Sequence, residues 1–72
     1  MTLSERIKWA TANKYDYEQF EVVNDDIGLN VWVSIYEYFE FTFTEDGEPL
    51  EAIHHIITNS KIESTNIPTS YR

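Results

Sequence analysis

The chain contains no cysteine. That excludes disulfide staples and thiolate metal sites, and it fits a reducing compartment. Glycine occurs only at Gly28 and Gly47, too few for a glycine-rich phosphate loop. No apolar run approaches the roughly 18 residues of a membrane span. The opening MTLSERIKWA lacks the apolar stretch of a signal peptide. A cytoplasmic protein without a membrane partner is the expectation.

The most informative absence is of positive charge. Between Lys14 and Lys61 there is no lysine or arginine. The same stretch holds Asp16, Glu18, Glu21, Asp25, Asp26, Glu37, Glu40, Glu45, Asp46, Glu48 and Glu51, which is eleven of the thirteen acids. The five bases, Arg6, Lys8, Lys14, Lys61 and Arg72, lie toward the termini, and the net charge is −8. Direct binding to nucleic acid or to an anionic membrane needs a positive patch, so neither is expected.

Chemistry-bearing motifs are also missing. No serine sits in a nucleophile elbow. Asp25-Asp26 and Glu45-Asp46-Gly47-Glu48 do not follow the spacing of a calcium loop. His54 and His55 are adjacent, whereas a helix offers a metal two ligands at i and i+4. On a strand the two point to opposite faces. The expectation is a non-enzymatic chain with no catalytic residue, cofactor or metal.

What is present is a β-pattern. In LNVWVSIYEYFEFTFT, residues 29–44, the odd positions are Leu29, Val31, Val33, Ile35, Glu37, Phe39, Phe41 and Phe43. All but Glu37 are strongly apolar, so the period of two marks one buried face. Sixteen extended residues would span roughly 53 Å, while a chain of this length has a radius of gyration near 11 Å. The run must fold back, and Glu37 is the expected place. A three-residue loop, Tyr36-Glu37-Tyr38, pairs Val33 with Phe41 and Val31 with Phe43 and keeps the odd residues together. It lacks the usual glycine; a bulged, bent strand is the alternative.

In chain order, Ser4 reads as the N-cap of a helix over about 4–13, with Lys14 suited to its C-terminal dipole. Residues 15–24 read as a strand with Phe20 and Val22 on the buried face. A loop at 25–28 follows, with Gly28 free to take positive φ. Strands are expected over about 29–36 and 38–44, with a turn at 45–48. Residues 50–59 read as a helix, started by Pro49 and Glu51 and striped by Leu50, Ile53, His54 and Ile57. A fourth strand is the alternative for this segment. Residues 60–72 read as a polar, partly ordered tail.

The expected fold is therefore one α+β domain over 1–72, ordered α-β-β-β-α, with a three-stranded antiparallel meander packed on helices. In element order this resembles the double-stranded-RNA-binding fold; the acidic sheet argues against that activity. In size and charge the chain is similar to small acidic inhibitors of phages and mobile elements, some of which mimic nucleic acid. That similarity implies a protein-binding module occupying a basic site on its partner. The expected contact surface is the outer sheet face: Tyr17, Glu21, Trp32, Tyr36, Tyr38 and Glu40. Exposed aromatics among acids suit such a role. The alternative is a structural homodimer joined through the aromatic face or an edge strand.

Overall fold

The helix starts earlier than Ser4 suggests, its N-cap lying two residues before that serine. In the computed structural model, which describes residues 1–68, α1 spans Leu3–Ala12 and Thr2 is its N-cap. Thr2 Oγ1 accepts from the Glu5 backbone N–H at 3.2 Å, and Glu5 Oε1 accepts from the Thr2 N–H at 2.8 Å. This reciprocal capping box satisfies two N–H groups that a helix start leaves open. At the other end Tyr15 N–H reaches Ala10 O and Lys14 N–H reaches Thr11 O. Those two bonds close a Schellman motif, with Lys14 (φ 59°) in the left-handed position that usually holds glycine.

Five strands follow: β1 (Asp16–Glu21), β2 (Ile27–Ser34), β3 (Glu37–Phe43), β4 (Pro49–Thr58) and β5 (Lys61–Asn66). They form one antiparallel meander in the order β1-β2-β3-β4-β5. The expected α-β-β-β-α order with a three-stranded sheet is thus overturned, and the resemblance to the double-stranded-RNA-binding fold goes with it. Residues 50–59 lie in β4, and 61–66, expected as tail, form β5. The end of that expected tail, 69–72, lies outside the described residues.

The physical reason is visible in β4. As a strand it divides its apolar residues between two faces. α1 covers one face only, but on the other the strands' side chains bury one another, so apolar residues find partners on both. Ala52 is fully buried on the helix side beside Phe41, and Ile53 is half-buried on the other beside Glu40. Pro49 stands at the first residue of the strand, where proline is tolerated. Asn59 (φ 45°) and Ser60 (φ 69°) are both left-handed, as a two-residue type I′ hairpin requires. Thr58 pairs with Lys61 across it.

The central run does fold back, one step earlier than expected. Val31 pairs with Phe39, Leu29 with Phe41 and Ile27 with Phe43. The turn is Ile35-Tyr36, with Ser34 opposite Glu37. A two-residue loop puts an even position opposite an odd one; a bulge at Val33, between Trp32 and Ser34, restores the parity. Leu29, Val31, Phe41 and Phe43 are buried as expected, but Ile35 is 77% exposed at the turn.

The core lies between α1 and one face of the sheet. Ala10, Leu29, Val31, Phe41, Phe43 and Ala52 fill it, with Leu3, Ile7, Trp9, Tyr15 and Phe39 packed around them. Trp9 sets its edge against Phe39 and Phe41. The Arg6 guanidinium, buried, lies 4.1 Å from the centre of the Phe41 ring. Burial pushes that guanidinium below its usual value. Leu3 N–H donates to Gly47 O at 2.9 Å, which ties the helix start to the β3–β4 turn.

Candidate functional site

Residues directly opposite in antiparallel strands share a face. The register therefore sorts every strand residue. On the helix side stand Tyr17 (opposite Val31) and Glu21 (opposite Ile27). Both were expected on the outer face with Trp32; they lie instead on the exposed edge strand β1, facing the helix side. Phe20 moves the other way. It pairs with Gly28 and lies on the outer face, and Val22 has left the strand. The cause is register: the chain turns tightly at Val23–Asp25, and Ile27 and Gly28 belong to β2 rather than to the loop. Gly28 has no positive φ; its role is to leave room for a ring.

Trp32, Tyr38 and Glu40 do come together on the outer face. Trp32 pairs with Tyr38, Tyr38 with His55, and His55 with Ser64. The rings are stacked: Trp32 on Tyr38 at 4.3 Å and 25°, Tyr38 on His55 at 4.4 Å and 19°. His55 is pinned at both nitrogens, Nε2 to Glu40 Oε1 at 2.9 Å and Nδ1 to Ser64 Oγ at 2.7 Å. The result is one rigid row across four strands. Tyr36 is not part of it; it sits exposed in the β2–β3 turn, its N–H bonded to Ser34 Oγ.

The paired histidines each serve one face, as the strand period requires. On the helix side His54 Nε2 lies 2.6 Å from Glu37 Oε2, and its ring stacks on Phe39 at 4.6 Å. This explains the single polar break in the apolar run. Glu37 is the partner that lets His54 lie on the helix-side face.

Sequence reasoning missed several members of the outer face: Asp16 opposite Trp32, Glu18 opposite Asn30, and Ser64 at the end of the row. The available signal was the alternation Asp16, Glu18, Phe20 within DYEQFE, which needed the correct β1–β2 register to be read. Asn30 is notable because its Oδ1 is buried with no hydrogen-bond partner among the described residues. The outward strand residues carry four carboxylates, Asp16, Glu18, Glu40 and Glu51, and no lysine or arginine.

Glu40, His55 and Ser64 have the connectivity by which a base activates a hydroxyl. Ser64, however, is exposed on an edge strand of an open sheet. Such a seat gives no enclosure to hold a substrate or exclude water. The arrangement serves better as the bonded end of a rigid platform. Among the described residues no group of three or more potential ligands could hold a metal ion, and no helix is long and apolar enough to cross a membrane.

No protein-family model matches the chain, and neither a curated protein nor a solved structure is similar enough to count as a match.

Proposed function

We propose that this chain is a small acidic protein-binding module, without a catalytic role, that occupies a basic site on its partner through the outer face of its sheet. One observation carries the reading: a row of stacked rings, hydrogen-bonded at its His55 end, on a face whose charged strand residues are all carboxylates. Rings held in advance lose little freedom on binding and supply contact area. The surrounding acids speed encounter and select the partner's sign. A basic nucleic-acid-binding site fits that description, as for the acidic inhibitors of phages and mobile elements to which size and charge are similar.

A homodimer is the second reading, favoured by β5. Its residues are all exposed, Ile62 is 58% exposed, and among the described residues no further strand pairs with its outer edge. Face-to-face association is less suited, because it would set two acidic faces against each other.

The test combines sedimentation at several concentrations with capture from host lysate at low and high salt. The reading expects a monomer that retains basic proteins, released as salt rises. A salt-insensitive dimer that captures nothing would replace it with the second reading.

A further inference from the structure

The stacked row is closed at one end and open at the other. Its spacing, 4.3 and 4.4 Å between ring centres, is close to the distance between neighbouring strands, about 4.8 Å. The next position in the stack after Trp32 therefore falls on β1. There the residue opposite Trp32 is Asp16, a short carboxylate where a ring would continue the row. A groove of ≈ 580 Å³ opens at this point, lined by Lys14, Tyr15, Asp16, Trp32 and Val33. At the far end the row is closed by Ser64 on His55.

We propose that the Trp32 end of the row receives an arginine side chain of a basic protein segment. The inference rests on the proposed binding of a basic partner and names the site. A guanidinium is planar, stacks on aromatic faces and pairs with a carboxylate through two parallel hydrogen bonds. In the groove it would continue the stack on Trp32 and meet the Asp16 carboxylate. A lysine ammonium is a point charge that can do only the second. Further along the same face stands Glu18, opposite Asn30. A second donor of an extended basic segment would reach it about 7 Å away, at the two-residue repeat of a strand.

The experiment titrates the full chain with a short peptide carrying two arginines in an alanine background. Its lysine and citrulline counterparts serve as controls, since citrulline keeps the shape and loses the charge. Binding is followed by amide and indole NMR shifts. The arginine peptide is expected to shift the Trp32 indole and the Asp16 amide first. Its affinity should exceed that of the citrulline peptide by about tenfold and that of the lysine peptide several-fold. Asp16→Asn, on an exposed edge strand, should fold normally and lose most of that preference.

Equal affinity for arginine and lysine, with shifts spread over all acidic residues, would overturn the proposal and leave only long-range charge attraction. So would a Trp32 shift that depends on protein concentration and not on peptide, which would mean a second copy sits there. If the basic partner is still captured, and capture needs Trp32 but is indifferent to Asp16→Asn, the arginine site fails while the proposed function stands.

Discussion

The ring of Phe20 lies on the outer face of Gly28, occupying the space a side chain at position 28 would need. A Cβ at Gly28 would overlap three carbons of that ring, so the glycine is there for close approach and not for its backbone freedom. Gly28→Ala should force the ring off the sheet and destabilise the domain by about 1–3 kcal/mol, as overpacking does. In a Phe20→Ala background the same change should cost far less. Urea unfolding of the two single variants and the double checks this. Additive losses would mean the two residues do not meet.

Phe41 is 3% exposed, with Trp9 edge-on to its ring and the Arg6 guanidinium above it. Phe41→Ala should therefore cost about 3–5 kcal/mol, close to the whole stability of a small domain. The calorimetric midpoint is the measurement. A variant melting within a few degrees of the parent would show that this face is not the core.

How far the fold was legible depends on which signal each residue carries. The alternation from Leu29 to Phe43 was readable because a period of two over a long run has one simple explanation. The turn within it was not, because a bulge at Val33 shifts the pairing without leaving a glycine behind. β1 was misread because Phe20 is the ring that covers a glycine on the outer face. Residues 50–59 were misread because a two-sided strand and a short helix distribute apolar residues alike. The Asn59-Ser60 hairpin was signalled only by Asn59, without the usual Asn-Gly pair. On the site, Trp32, Tyr38 and Glu40 followed from alternation alone. Asp16 and His55 needed the register on either side, which no local pattern supplies.

The capping box gives the helix a pH dependence. Hydrogen bonds from the Thr2 backbone and then its side chain hold the Glu5 carboxyl below its ordinary value. A carboxyl depressed in the folded state contributes stability above its unfolded value, about 4.3. That contribution disappears as pH falls through the folded value. Stability should therefore decline below about pH 4, and Glu5→Gln, which has no proton to gain there, should flatten the Glu5 part of the decline. Circular dichroism melts from pH 6 to pH 3 are the check, and parallel curves for parent and variant would remove the capping box from the account.

The stretch from Asp16 to Glu51 carries eleven acids and no lysine or arginine, and the carboxylates on the outer face stand on neighbouring strands. Added salt screens such repulsion, with a Debye length near 10 Å at 0.1 M. The thermal midpoint should rise between about 20 mM and about 500 mM NaCl. A flat or falling midpoint would mean that attractive pairing with the terminal bases outweighs the repulsion.

Trp32 decides between a contact surface and a hidden core. Residues 61–66 join the sheet as β5, and Ile67 packs against the core on the helix side, its N–H bonded to Ala52 O, so neither lies over the outer face. Trp32 thus keeps one ring face on Tyr38 and the other toward the groove beside Asp16. Trp32→Ser removes a stacked pair worth about 0.5–1.5 kcal/mol together with some burial, a loss that a domain of about 5 kcal/mol survives. The variant should fold, melt a few degrees lower, and lose capture of basic partners. Tyr38, still held against His55, should keep the remaining row in place, which the His55 and Ser64 amide shifts would report. A Trp32→Ser chain that unfolds at room temperature would place Trp32 in the core, and one that folds and captures as before would move the contact surface elsewhere.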